Sequence, residues 1–210
     1  MIRVLIADDH AVVRRGLATL LATTTDLELV GMAADGAEAV RLAVDSGADV
    51  VVMDLSMPGI GGLEAIGRIV AKDANAKILV LSAHADAMHA RRVLKAGACG
   101  YLSKRSAGEE LLHAIAEVRQ NRTFIEAAIA QQLAAQQFGG QKSPVETLSE
   151  KEFKVFLALA KGQSVAEIAE VMSLSPRTIG THLYNIKQKL EASNQAELTL
   201  IAMRSGLMEP

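Results

Sequence analysis

The chain has 210 residues, of which 50% are hydrophobic and 22% charged, and its net charge is −2. These values are typical of a globular protein with one large or two modest domains, and they exclude a surface that is basic throughout. No apolar run approaches the roughly 20 residues that span a bilayer, and the N-terminus lacks the layout of a secretion signal, so we expect a cytoplasmic protein without a membrane partner. The single cysteine, Cys99, excludes an intramolecular disulfide and a cysteine-built metal site.

The first part of the chain alternates between strand-like and helix-like periods. Helical patterns separate five short apolar runs, which predict strands at residues 4–6, 27–30, 50–53, 78–81 and 100–102. Such alternation predicts a parallel sheet covered by helices on both faces, because parallel strands need long crossover connections. We therefore predict an α/β doubly wound, flavodoxin-like sheet of five parallel strands in the order 2-1-3-4-5.

The second part of the chain is predicted to be helical throughout. It follows an Ala/Gln-rich stretch with good helix propensity and a breaker-rich segment at residues 139–144, which we interpret as the connection between two domains. Serine caps then predict a small all-α domain of four helices, at about 149–160, 164–172, 176–190 and 195–205. The predicted boundaries are 1–122 for the first domain, 123–147 for a linker with a helical segment, and 148–210 for the second domain.

Polar side chains follow the predicted strands where those strands end. Asp8 and Asp9 follow the first strand, Asp54 ends the third, Ser82 ends the fourth, and Lys104 follows the fifth. Strands one and three are neighbours at the topological switch point, so these groups converge on one crevice. Carboxylates that lie so near each other repel one another unless they share a divalent cation. Ligand sets made of oxygen atoms favour Mg²⁺. An aspartate beside a cation and a lysine is suited to forming an aspartyl phosphate, although an aspartate in this position is also a common turn former.

Residues 1–122 resemble the receiver domain of two-component response regulators, on the pattern formed by Asp8, Asp9, 54–58, Ser82, Tyr101 and Lys104. The resemblance implies that Asp54 accepts a phosphoryl group from a histidine kinase. It also implies that Asp9, Asp54 and the Ser56 backbone carbonyl hold Mg²⁺, while Asp8 acts through the outer shell of that metal.

The same resemblance assigns switch residues. It implies that Lys104 contacts the phosphate, that Ser82 bonds to it in the active state, and that Tyr101 turns inward behind Ser82. Ser56 and His84 are expected to flank the phosphoryl group and to tune its loss. Neither supplies a carboxylate or an amide that orients a water well, so we expect slow self-dephosphorylation.

The C-terminal part carries characteristic residues at 148–152, 162, 168–169, 174–175, 178–182 and 189–190. On these residues it resembles the four-helix DNA-binding domain of LuxR/NarL-type regulators. Residues 173–175 are the predicted turn of a helix-turn-helix, and residues 176–190 are its recognition helix, which carries basic but no acidic residues. The resemblance points to Gly180, Thr181 and Tyr184 as the residues that face base edges, and we expect the basic residues to contact phosphates. The complete predicted set for double-stranded DNA is Arg177, Thr178, Gly180, Thr181, His182, Tyr184, Asn185, Lys187 and Lys189.

These features predict a transcription regulator switched by phosphorylation of Asp54, with Mg²⁺ as its cofactor and no enzymatic activity beyond its own phosphorylation and dephosphorylation. A homodimer is expected when the protein is phosphorylated, with a seam at Leu198, Ile201 and Met203, and RNA polymerase is a candidate partner. Two alternatives stay open: a DNA-binding protein whose receiver is a phosphorylation-independent scaffold, and an aspartate-nucleophile phosphohydrolase. The second needs a general acid where this chain has Ser56.

Overall fold

The computed structural model describes residues 1–138, 144–205 and 207–208. The chain divides into two compact units, Met1–Phe138 and Gly139–Pro210. Within the part of the chain that is described, no helix is both long enough and apolar enough to cross a membrane.

The first unit is built on a parallel sheet. Its strands are β1 (Ile2–Ala7), β2 (Leu27–Ala33), β3 (Val50–Asp54), β4 (Ile78–Ser82), β5 (Gly100–Ser103) and β6 (Phe124–Ile125). Its helices are α1 (Ala11–Leu21), α2 (Gly36–Asp45), α3 (Gly62–Lys72), α4 (Ala87–Lys95), α5 (Ala107–Arg119) and α6 (Ala127–Phe138). Among the described residues the strand order is β2-β1-β3-β4-β5-β6, and every neighbouring pair is parallel.

The predicted doubly wound sheet with the order 2-1-3-4-5 is confirmed, but the predicted number of five strands is wrong. Phe124 and Ile125 add a sixth strand, which pairs with Gly100 and Tyr101 of β5. The sequence did not predict this strand, because the alternation of apolar and polar residues that indicates a strand cannot be recognised in only two residues.

The segment predicted as a linker, residues 123–147, is largely part of the first unit. It supplies β6 and α6, and Ile129 of α6 is fully buried in the core with Leu133 packed beside it. The Ala/Gln-rich composition of α6 conceals this role, because Ile129 and Leu133 are few among its small and polar residues. The breaker residues 139–143 lie outside the described residues.

The sheet has hydrophobic core on both of its faces. All residues of β3 and β4 are buried, as expected for central parallel strands that read as continuous apolar runs. Alternation along β1 sends Leu5 into one core cluster, beneath α2 and α3, and Val4 and Ile6 into the other, beneath α1 and α5. The central strands are thereby fixed from both sides, and so are the residues at their carboxyl ends.

The described part of the second unit contains a short 3-10 helix, Pro144–Thr147, and four α-helices. These are α7 (Glu150–Ala160), α8 (Val165–Val171), α9 (Pro176–Leu190) and α10 (Gln195–Arg204). Ser149 and Ser164 form the capping boxes that the sequence indicates, and Ser175 caps α9 ahead of Pro176. The prediction of a small four-helix domain is therefore confirmed.

Candidate functional site

The carboxylates of Asp8 and Asp54 meet at the carboxyl edge of the sheet. Asp54 ends β3 and Asp8 directly follows β1, and these two strands are hydrogen-bonded neighbours. Each residue is only 1% exposed. Lys104, which follows β5, places its Nζ 2.6 Å from Asp8 Oδ2 and 3.1 Å from Asp54 Oδ2. The structure thus brings together two predicted carboxylates and the predicted lysine.

Asp9 and His10 complete the acidic end of this cluster. Ligand atoms of Asp8, Asp9, His10 and Asp54 all lie within 4.8 Å of one another. His10 Nδ1 lies 2.6 Å from Asp9 Oδ1 and 3.4 Å from Asp8 Oδ1. The sequence interpretation did not include His10, and its only signal there is its position next to Asp9.

Burial controls the charge state of this cluster. Burial raises the pKa of the Asp54 carboxyl, against the attraction of Lys104 and with the repulsion of Asp8. Burial alone would lower the pKa of Lys104, but its hydrogen bond to Asp8 and the charge of Asp54 raise that pKa overall. Lys104 therefore stays a cation, and it compensates two buried carboxylates only in part.

The donor set fits a hard divalent cation. Among the described residues, Asp54 Oδ1 is a buried oxygen without a hydrogen-bond partner. A buried carboxylate oxygen left without a donor is costly, and a bound cation removes that cost. Asp8, Asp9 and Asp54 offer oxygen ligands of the kind that Mg²⁺ prefers.

Ser82 and Tyr101 are joined through the backbone of His84. Ser82 ends β4 and is fully buried, and its Oγ accepts a hydrogen bond from the His84 backbone N–H at 3.1 Å. Tyr101 is also fully buried, and its hydroxyl donates to the His84 carbonyl oxygen at 2.6 Å. Tyr101 therefore lies inward in this structure. The side chains of Ser56 and His84 are exposed.

One face of α9 is exposed along its length. Arg177, Thr181, Tyr184 and Gln188 are exposed and recur at helical spacing, and Tyr184 is 64% exposed. Gly180 is exposed on the same side, and a Cβ built there meets no atom within 4 Å. The predicted residues Thr178, His182 and Asn185 are half-buried.

Two basic residues predicted to contact DNA make contacts inside the second unit. Lys189 Nζ donates to Glu152 Oε2 at 2.6 Å, and Glu152 is only 5% exposed. Although burial opposes ionisation, hydrogen bonds from Lys189 and Ser149 hold the pKa of Glu152 below its usual range. Lys187 Nζ donates to the Ser193 carbonyl oxygen at 2.9 Å. Both lysines therefore stabilise the fold of this unit, which the sequence interpretation did not foresee.

The predicted dimer seam on α10 needs a correction at Leu198. Leu198 is fully buried within the second unit, so it is not available to a partner. Ile201 and Met203 are half-buried, and Leu200 is 50% exposed. Apolar periodicity identified an apolar face, but it could not separate the residues that fill the unit's own core from those that face outward.

Comparison with known proteins identifies both units. Residues 4–116 match the family model described as response regulator receiver domain, and residues 146–202 match bacterial regulatory proteins, luxR family. The chain belongs to the LuxR-type response regulators. As a member of this family, the protein is a phosphorylation-controlled transcription regulator, and the phosphohydrolase alternative does not apply.

Curated relatives of this response regulator cover its whole length. It is 42% identical to response regulator UvrY of Escherichia coli K12 over 209 residues, which are 99% of this chain and 96% of UvrY. It is 38% identical to response regulator GacA of Pseudomonas aeruginosa over 211 residues, covering 100% of this chain and 99% of GacA.

A solved structure of RcsB from Salmonella enterica serovar Typhimurium is also similar, with a TM-score of 0.65 and 27% identity over 95% of this chain and 97% of RcsB. That RcsB is bound to promoter rprA in the presence of the phosphomimetic BeF3−. A receiver domain implies a histidine kinase as phosphodonor, and the cluster of Asp8, Asp9 and Asp54 is an acidic pocket of the kind in which receiver domains bind Mg²⁺.

Proposed function

We propose that Asp54 of this response regulator accepts the phosphoryl group of a histidine kinase, and that its phosphorylation controls dimerisation and DNA binding by the second unit. The observation that carries this proposal is the carboxylate of Asp54. It is buried at the end of β3, faces Lys104 Nζ at 3.1 Å, and has one oxygen without a hydrogen-bond partner among the described residues. It is therefore an ionisable oxygen nucleophile held beside a cation.

Asp9, Asp54 and the Ser56 backbone carbonyl would hold Mg²⁺, with Asp8 acting through the outer shell. The cation supplies positive charge that offsets the repulsion between a carboxylate and an incoming phosphoryl group. An Asp54 oxygen forms the new bond to phosphorus while the bond from phosphorus to the donor's nitrogen breaks. Lys104 neutralises a phosphoryl oxygen during this transfer.

The switch proposed for this site passes through His84. Ser82 Oγ now accepts from the His84 backbone, and Tyr101 holds the His84 carbonyl. The Ser82 hydroxyl can donate to a phosphoryl oxygen on Asp54 while its oxygen still accepts from the His84 N–H. When Ser82 turns toward the phosphoryl group, the His84 backbone follows it, and the loop between β4 and α4 moves as well. Ser56 and His84, both exposed, flank the phosphoryl group and give no strong alignment of an attacking water.

The DNA interface proposed for the second unit is the exposed face of α9. Arg177 contacts phosphates, and Thr181 and Tyr184, together with the open backbone at Gly180, face base edges. Thr178, His182 and Asn185 border this face, while Lys187 and Lys189 contribute charge from its far end.

Two phosphorylated copies bind together through outward residues of α10, namely Leu200, Ile201 and Met203. RNA polymerase is proposed as a further partner, and the cytoplasm as the compartment in which these partners meet.

Incubation with acetyl phosphate and Mg²⁺, followed by intact-mass measurement, tests the phosphoacceptor. We expect a gain of one phosphoryl group, no gain in Asp54→Asn, and a normal gain in Asp26→Asn, which changes an exposed aspartate before β2. Normal labelling of Asp54→Asn would refute the proposal.

The lifetime of the phosphoryl group is measured on the same wild-type sample after acetyl phosphate is removed. The protein should keep its phosphoryl group for minutes or longer, and loss within seconds would contradict the proposed roles of Ser56 and His84.

A further inference from the structure

Glu126 lies between β6 and α6, and its half-buried side chain contacts the end of β5. It directly precedes α6, at a position where Ser, Thr, Asp and Asn are the favoured capping residues. Its Oε2 accepts a hydrogen bond from the Ser103 backbone N–H at 2.8 Å. Although burial opposes ionisation, hydrogen bonds from Ser103 and from the Ser106 hydroxyl hold the pKa of Glu126 below its usual range. Glu126 is therefore a carboxylate directed at the residue that precedes Lys104.

The carboxylate of Glu126 takes the place of a backbone carbonyl in the sheet. The pairing of β5 with β6 ends at Tyr101 and Ile125, and the Glu126 N–H donates to the Tyr101 carbonyl at 3.1 Å. In a continued parallel ladder, the Ser103 N–H would donate to the Glu126 carbonyl. That carbonyl accepts from the Ala130 N–H at 2.9 Å, because α6 begins here. The side chain of Glu126 thus supplies the acceptor for a residue that is only 2% exposed.

The contact with Glu126 completes the anchoring of the backbone that carries Lys104. On the side of β4, the Lys104 N–H donates to the Ser82 carbonyl at 2.7 Å. On the side of β6, the Ser103 N–H donates to Glu126, and the Ser103 carbonyl accepts from the Ser106 N–H at 3.1 Å. The end of β5 and the turn after it are therefore held from two directions, and removal of Glu126 would release one of them.

We propose that Glu126 is a positioning residue for phosphoryl transfer, because its carboxylate fixes the backbone of Ser103 and thereby places the Lys104 ammonium beside Asp54. The inference rests on the proposed function, since it concerns the cation that meets the incoming phosphoryl group. Lys104 Nζ contacts Asp8 Oδ2 at 2.6 Å and Asp54 Oδ2 at 3.1 Å, so Glu126 acts on it through the backbone and not as its ion-pair partner. A misplacement of about 1 Å in a reacting group can cost about 100-fold in rate.

The rate of labelling by acetyl phosphate and Mg²⁺ tests this role in the full-length protein. Glu126→Ala removes the acceptor, so it should slow the gain of one phosphoryl group, followed by intact mass, about tenfold. Glu126→Gln keeps an oxygen that accepts from the Ser103 N–H, so its rate should stay within about twofold of the wild type. The matched control is Glu117→Ala, which removes another half-buried glutamate of the first unit and should leave the rate unchanged.

A double-mutant cycle with Lys104→Ala shows whether Glu126 acts through the lysine. We expect Glu126→Ala to slow labelling of the wild type but to have no further effect in the Lys104→Ala protein. The same additional slowing in both backgrounds would overturn the inference. Labelling of Glu126→Ala at the wild-type rate, or equal slowing in Glu117→Ala, would overturn it as well.

Nuclear magnetic resonance of the protein labelled with ¹⁵N-lysine follows the position of Lys104 without any phosphorylation. The amide and ammonium signals of Lys104 should shift in Glu126→Ala and keep their wild-type positions in Glu126→Gln. Unchanged Lys104 signals in Glu126→Ala would show that the carboxylate does not position the lysine. If the wild type and Glu126→Ala are labelled alike, the proposed function stands and only the role of Glu126 fails. If the wild type gains no phosphoryl group, the proposed function fails, and the role of Glu126 fails with it.

Discussion

Asp54 combines two requirements that oppose each other. A phosphoacceptor carboxylate must be ionised, but this one lies at the buried end of β3, where burial disfavours the ionised form. The pKa of Asp54 is raised by burial in the folded protein, so folding binds a proton that the unfolded chain releases more readily. The free energy of unfolding therefore falls as pH rises from the usual aspartate pKa through the raised one.

We predict that Asp54→Asn stabilises the protein in the absence of divalent cations. The amide carries no charge, and Lys104 keeps its contact with Asp8, so no cation is left alone. The expected gain in the free energy of unfolding is about 1–3 kcal/mol near neutral pH. It should shrink toward zero as the pH approaches about 4, where the unfolded aspartate is itself half protonated. Urea unfolding at both pH values measures the difference.

Mg²⁺ supplies the control for this prediction. A divalent cation that binds only the folded state should raise the stability of the wild type, and should do so much less in Asp54→Asn. A variant that is no more stable than the wild type at neutral pH would show that Lys104 fully compensates the buried charge.

Some residues of this site could be predicted from the sequence, and His10 could not. Asp8, Asp54 and Lys104 each end or follow an apolar strand, so topology alone places them at one edge of a parallel sheet. No comparable sequence pattern identifies His10, because a histidine just after Asp9 is also an ordinary residue at the start of a helix. Its contact with Asp9 depends on a side-chain rotamer, which no sequence period encodes.

At the scale of elements, β6 and α6 extend the first unit beyond the predicted boundary. The Phe124 backbone N–H donates to the Cys99 carbonyl just before β5, and the Glu126 N–H donates to the Tyr101 carbonyl within it. Glu126 Oε2 accepts from the Ser103 N–H at 2.8 Å. On α6, Gln132 Oε1 accepts from Ala87 N at the start of α4. The sequence predicted the helix but not its partner, since helix propensity is local and α6 docks against α4, which lies far along the chain.

Ile129→Ala in the full chain tests whether α6 is part of the first unit. Ile129 is fully buried, so the substitution should lower the free energy of unfolding by about 2–5 kcal/mol. Gln131→Ala, an exposed position on the same helix, should change it by less than about 0.5 kcal/mol. Chemical denaturation followed by circular dichroism measures both. Equal stability of the two variants would show that α6 is a free linker.

The basic residues of α9, the recognition helix, differ in whether they bind another residue of the second unit or stay accessible to DNA. Lys189 is held by Glu152, whereas Arg177 is exposed at the first turn of α9. Sequence reasoning grouped these cations because a charge pattern does not show which of them has an intramolecular partner.

We predict that Lys189→Ala and Arg177→Ala act on different properties. Lys189→Ala leaves the nearly buried Glu152 without its cation, so it should lower the stability of the second unit by about 1 kcal/mol. Arg177→Ala should leave stability unchanged and weaken binding to every duplex, with a salt slope smaller by about 1. Thermal melts and DNA titrations at several salt concentrations separate the two effects. The reverse pattern would show that Lys189, and not Arg177, is the phosphate contact.

At the scale of the whole molecule, the net charge is −2, so the protein does not attract DNA through its overall charge. Its DNA affinity must therefore come from small local basic surfaces. One copy of α9 offers few cations, so a single chain should bind DNA weakly and with a modest salt slope. Two copies joined as a dimer bind adjacent half-sites with a high effective concentration, which raises affinity without any new contact. In the proposed mechanism, phosphorylation controls transcription by controlling dimerisation.

We predict that acetyl phosphate with a divalent cation converts the wild type from monomer to dimer and strengthens its binding to duplex DNA selected from a random library. The salt slope should roughly double, because two recognition helices then release counterions together. Sedimentation velocity and fluorescence anisotropy titrations on the same samples measure assembly and affinity, and Asp54→Asn should remain monomeric and weak in both. Leu200→Glu places a charge on the outward face of α10, so it should permit phosphorylation but prevent dimerisation and strong binding. Equal DNA affinity with and without phosphorylation would instead favour a receiver that serves only as a scaffold.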